Sequence, residues 1–150
     1  MKKALRPILV LCLAAGCGGA PDGEADAAPQ GASAQAAVAS VTLLSPQEGE
    51  EIMGTSVTVR LETSNLPIVP AGDLTPGTGH HHLFLDADLT DAAVPVPTVP
   101  GSIVHMGDAS AAYTFEGVSP GEHVLIAVVA DGVHVPLQPW VVDTVRFVVH

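Results

Sequence analysis

Cysteine is nearly missing from this 150-residue chain: there are two, Cys12 and Cys17, and none after position 17. Everything downstream is therefore without a disulfide, a thiolate metal site or a cysteine nucleophile. Basic residues are as scarce. Lys and Arg total five, and Lys2, Lys3 and Arg6 lie at the extreme N-terminus, so that only Arg60 and Arg146 face the 16 acidic residues beyond it, a balance of −14. So few cations exclude nucleic acid and anionic lipid surfaces as partners, because both demand basic patches; a cationic ligand is compatible. No Gly-x-Ser-x-Gly elbow is present, and Asp86, Asp88 and His82 offer at best the solvated carboxylates usual at a strand end, so the chain reads as no enzyme.

The N-terminus supplies the first positive signal. A basic start at Lys2, Lys3 and Arg6 precedes the apolar run Ile8 to Leu13, too short to span a bilayer, and then small residues; residues 1–16 read as a secretory signal. Leu13-Ala14-Ala15-Gly16-Cys17 resembles the bacterial lipobox, with the leucine one place further back than usual. Cys17 is thus the expected lipid attachment site, whereas Cys12, after the bulky Leu9, Val10 and Leu11, goes with the signal. Residues 17–39, rich in Ala, Gly, Gln, Asp and Pro, read as the lipidated cysteine and a disordered tether. Gly18 stands where a retention aspartate would, which favours the outer membrane or cell surface of a bacterial envelope. The expected partners are the membrane, through the lipid, and an envelope protein; the domain is expected to be a monomer.

Residues 40–150 suffice for one domain with a real core. Val41 to Leu44 is a β-rich run closed by Ser45-Pro46 and a Glu48-Gly49-Glu50 turn, and Val57, Val59 and Leu61 alternate with Thr58, Arg60 and Glu62. Further strands are expected over His81 to Asp86, Ser102 to His105, Ala112 to Phe115, His123 to Ala130 and Val141 to Val149. Val94 to Pro100, with a proline at every second or third position, is a loop or an edge because proline gives no ladder donor. Seven or so short strands and no helix predict an all-β, immunoglobulin-like antiparallel sandwich, with a cupredoxin-like or jelly-roll arrangement as the alternative. Within it, Val118-Ser119-Pro120-Gly121-Glu122-His123 resembles the corner entering strand F of fibronectin-type sandwiches, with His123 standing where an aromatic hydroxyl normally ties the corner.

Seven histidines carry the chemistry: His80, His81, His82, His105, His123, His134 and His150. Without cysteines, a transition-metal site here must be built from imidazole with help from Asp, Glu or Met. Alternation along a strand puts His80 and His82 on one face and sends His81 with Leu83 and Leu85 to the other. The start of that strand and the end of the His123 to Ala130 strand can share one end of the sandwich. His80, His82, His105 and His134 are therefore the candidate metal ligands, with Met106 as a further one; imidazoles suit Cu(II) or Zn(II), and a thioether would favour Cu(I). Copper is favoured and zinc is the alternative. The competing expectation is that the rings brace loops, each bonded to a backbone carbonyl, in a structural or interaction module. His123 is expected to brace its corner, and His150 to be incidental.

The segments Val41 to Gly49, Ile68-Val69-Pro70-Ala71-Gly72, Gly77-Thr78-Gly79-His80-His81-His82-Leu83, Ser119-Pro120-Gly121-Glu122-His123 and Asp131-Gly132-Val133-His134-Val135-Pro136 together resemble the bacterial domain-of-unknown-function family four-three-nine-nine. The resemblance implies a secreted or envelope protein of immunoglobulin-like character and no assigned activity. Leu137 stands where the family often carries one more histidine.

Overall fold

A computed structural model describes residues 37–150. The signal expected at 1–16, Cys17 and the tether as far as residue 36 lie outside the described residues. The eight strands are β1 (Ser40–Ser45), β2 (Glu50–Ile52), β3 (Val57–Ser64), β4 (His80–Leu85), β5 (Ile103–Met106), β6 (Ala112–Phe115), β7 (Gly121–Ala130) and β8 (Val142–Val149). They form two facing sheets, β1-β3-β6 and β2-β8-β7-β4-β5, an immunoglobulin-like β-sandwich. All pairings are antiparallel except β2 with β8.

The alternation read from sequence is the alternation of burial. In β3, Val57, Val59 and Leu61 are buried while Thr58, Arg60 and Glu62 are exposed. Val145, Phe147 and Val149 of β8 meet them in the core with Leu83, Leu85, Leu125 and Val129. Each such side chain contributes about 1.5–3 kcal/mol on leaving water, and the run of them holds the two sheets together. The eighth strand, β2, is a departure from the expected turn. Gly49 bends at φ 75°, and its N–H donates to the Arg146 carbonyl at 2.7 Å, which lays Glu50–Ile52 parallel to β8. Three residues carry no readable period, so only tertiary pairing defines this strand.

β4 is buried along its whole length. It lies between β7 and β5, and both of its faces are covered. His81, Leu83 and Leu85 take the core side, while on the outer side Phe84 joins Val96, Ile103 and Val128 in a second small cluster with Ile126 and Trp140 against it. Val96 belongs to the proline-rich stretch, which is indeed a loop. Its N–H donates to the carbonyl of His134 at 2.8 Å, so the loop is fastened over the outer face of the larger sheet.

Candidate metal centre

Antiparallel pairing of β4 with β7 sets His80 opposite Ala130, so the start of β4 and the end of β7 share one end of the sandwich. Pairing with β5 sets His82 opposite His105. The turn after β7 then returns His134 over the same outer face. Asp131 shapes that turn by accepting the N–H groups of Val133 and Val135 at 3.0 and 2.9 Å. His134 itself sits at φ 70°, a left-handed conformation uncommon for a residue with a Cβ and characteristic of sites where geometry outranks backbone comfort.

These four imidazoles converge. One nitrogen from each of His80, His82, His105 and His134 lies within 4.8 Å of every other. His80 Nε2 is 3.0 Å from His82 Nε2 and 3.1 Å from His134 Nδ1. A neutral ring nitrogen carries either one proton or one lone pair, so His80 Nε2 cannot make two good hydrogen bonds to two other rings. His80 Nδ1, His82 Nδ1 and His105 Nε2 are buried with no hydrogen-bond partner among the described residues. Leaving buried polar atoms unpaired costs about 1–3 kcal/mol each, so the cluster is an expensive arrangement on hydrogen bonding alone; on His80 and His82 the unpaired atom is Nδ1, on the ring edge other than the Nε2 that meets the neighbouring rings. Nitrogens bound tetrahedrally at 2.0–2.1 Å stand about 3.3 Å apart, close to the 3.0 and 3.1 Å found at His80 Nε2 and inside the 4.8 Å that bounds the whole set. The donor set therefore fits a metal ion.

Electrostatics keep the lone pairs available. Burial, reinforced by the neighbouring imidazoles, pushes His82 down to about 3 and His80 down to about 4. Burial and His134 also lower His105. Rings that resist protonation stay neutral at ordinary pH, the form that ligates a metal.

The structure separates the other histidines from this group. His81 faces the core; its Nδ1–H donates to the Ser110 carbonyl at 3.0 Å, which leaves Nε2 to accept from the Thr63 hydroxyl at 2.8 Å. His123 Nδ1 meets Asp86 Oδ2 at 2.6 Å and Nε2 meets the Ser119 carbonyl at 2.8 Å. Both partners are acceptors, so this ring is a doubly protonated imidazolium. Burial works against that charge, but the Asp86 carboxylate and the Ser119 carbonyl outweigh it and raise the His123 pKa. The ring stacks on Phe147 at 5.4 Å and fastens the corner before β7. His150, half exposed at the chain end, lies 3.8 Å from Glu51.

Met106 is corrected. It is the neighbour of His105 on β5, pairs with His81 and is buried in the main core, because adjacent strand residues point to opposite faces. Asp86 does not join His82 either: it lies four residues along, about 13 Å at the rise of a strand, and is engaged by His123 and by the Val124 N–H at 2.9 Å. Leu137 packs on the core beside Gly79. Sequence reading passed over Asp131, Thr63 and Ser110; only the Asp-Gly dipeptide at 131–132 signalled a turn there.

An immunoglobulin-like sandwich with an imidazole group at one end of its larger sheet is the class that fold and site define. Residues 59–150 match the family described as Domain of unknown function (DUF4399), and the chain belongs to that family. None of the curated proteins matches it. Among solved structures it is similar to the fibronectin(III)-like modules of Clostridium thermocellum CbhA, at 14% identity over 73% of this chain and 94% of that one, with a TM-score of 0.44. It is also similar to an endo-β-1,4-mannanase from Thermotoga petrophila, at 14% identity and TM-score 0.47 over 78% of this chain but 21% of that enzyme.

Proposed function

We propose that this domain binds one transition-metal ion through His80, His82, His105 and His134, without turnover of its own, and that it does so as an exported lipoprotein. The convergence of four ring nitrogens within 4.8 Å carries the reading. Imidazole-only sites bind Cu(II) most tightly among the divalent first-row ions, with Zn(II) next to it in the series, so copper is favoured and zinc is the alternative. With Met106 turned into the core, no thioether biases the site toward Cu(I), and the divalent ion is the expected form. Export, acylation at Cys17 and an outer-membrane or cell-surface location rest on the pattern of residues 1–39.

A second reading, a non-catalytic interaction or structural module of the envelope, is favoured by His81 and His123, whose rings do brace carbonyls. Titration of the purified chain with Cu(II), Cu(I) and Zn(II) separates the two. Metal binding predicts one saturable site tighter than micromolar, weakened at least about 100-fold in the His80→Ala, His82→Ala double variant. Absence of any saturable site of that affinity leaves the bracing module standing.

A further inference from the structure

We propose that the segment Ile68–Asp73, which contributes no ligand, is a positioning strap that holds the four imidazoles in place before any metal arrives; this rests on the metal-binding reading. The three stretches that carry the ligands come from distant parts of the chain. The strap bonds to each of them. Val69 N–H donates to the Gly79 carbonyl at 2.8 Å, next to His80; Ala71 N–H donates to the Gly107 carbonyl at 3.0 Å, two residues past His105; Gly72 N–H donates to the Gly132 carbonyl at 3.2 Å, two residues before His134.

All three acceptors are glycines, and at each the approach is too close for a side chain. A Cβ on Gly132 would stand 2.1 Å from the Asp73 carbonyl oxygen. On Gly107 it would stand 2.6 Å from Cε1 of the His105 ring and 3.3 Å from Ala71 Cβ, and on Gly79 it would stand 2.7 Å from the Ala130 carbonyl oxygen. Gly132 thus makes room for the strap itself and Gly107 for the His105 ring with the strap's Ala71 beyond it, while Gly79 lets the start of β4 lie close against β7 beneath the strap. Gathering four ligands from separate segments costs conformational entropy at the moment of binding unless the scaffold has already gathered them. The strap does that gathering, and the bonded backbone sets the ring separations.

Two measurements test this. In the metal-free chain, the Val69, Ala71 and Gly72 amides are protected from hydrogen exchange to the same degree as those of β4, and addition of Zn(II) leaves that protection unchanged. Free exchange at these amides until Zn(II) is added overturns the strap. In the second measurement Gly132→Ala weakens Zn(II) and Cu(II) binding at least about 10-fold in a chain that is still folded. Gly117→Ala, at φ 72° with open space around it and at the other end of β7, is the control; it lowers the thermal midpoint but changes affinity less than about 2-fold. A folded Gly132→Ala chain with the parent's affinity overturns the strap alone. A parent chain that binds neither ion overturns the metal reading with it.

Discussion

The two ends of the β4–β7 pair use the same side chain for opposite purposes. At one end His80 and His82 meet His105 and His134, so each imidazole faces other imidazoles. At the other His123 meets the Asp86 carboxylate and the Ser119 carbonyl. His80, His82 and His105 are pushed toward the neutral form and His123 toward the charged one. The ends differ in burial and in partners: burial is the larger cause at His80 and His82, with the neighbouring imidazoles adding to it, whereas at His123 the carboxylate and the carbonyl outweigh burial. A histidine surrounded by acceptors is a structural cation, whereas histidines surrounded by one another hold lone pairs that only an electrophile can use together.

Removing a bracing ring breaks the comparison most strongly. His81→Ala empties a fully buried site and strands the Thr63 hydroxyl and the Ser110 carbonyl, a loss of about 3 kcal/mol. His123→Ala loses a charge-assisted hydrogen bond and a ring stacked on Phe147, about 2 kcal/mol. Thermal or denaturant unfolding reads both losses, and neither variant is expected to change metal affinity more than a few-fold. A large affinity loss in His123→Ala, at the far end, would mean that the two ends are not independent.

Next in size is the pH dependence of the metal-free chain, which sharpens the contrast because the two ends carry opposite signs. His80 and His82, with folded values lowered to about 4 and about 3 from 6.5, favour folding above about pH 6.5, and that contribution is lost as pH falls toward those values. His123, with a raised folded value, contributes stability that is full below about pH 6.5 and is lost as pH climbs through the folded value. Urea unfolding between pH 4 and 9 should show the acid-side slope flattened in His80→Ala with His82→Ala, and the slope above neutrality flattened in Asp86→Asn.

The smallest expected effect on stability comes from His134→Gly. Glycine accepts φ 70° without strain, and relief of about 1 kcal/mol offsets the loss of a half-buried ring. Metal-free stability should move by less than about 1 kcal/mol while metal affinity falls. A much larger loss of stability would assign His134 to bracing.

Much of this arrangement is legible in the chain itself. Alternation finds β3 and β8, and the same period of two divides the His80-His81-His82 triplet correctly between faces. The antiparallel return of β7 brings His134 to the start of β4, as the order of strands implies. Legibility ends where register decides. A one-residue difference in the start of β5, Ile103 in place of Ser102, accompanies a register in which His105 faces His82 and Met106 faces the core. The strap is less legible still, because hydrogen bonds from Val69, Ala71 and Gly72 to glycine carbonyls involve backbone alone, and a glycine needed for close approach looks in sequence like any turn glycine. β2 is defined wholly by its partner.

Electron paramagnetic resonance of the chain loaded with one equivalent of Cu(II) tests the central claim most directly. Nitrogen couplings from three or four imidazoles in one species, abolished by the His80→Ala, His82→Ala pair and untouched by His123→Ala, are predicted. A signal of aqueous or carboxylate-bound copper, or one that survives the double substitution, would contradict it.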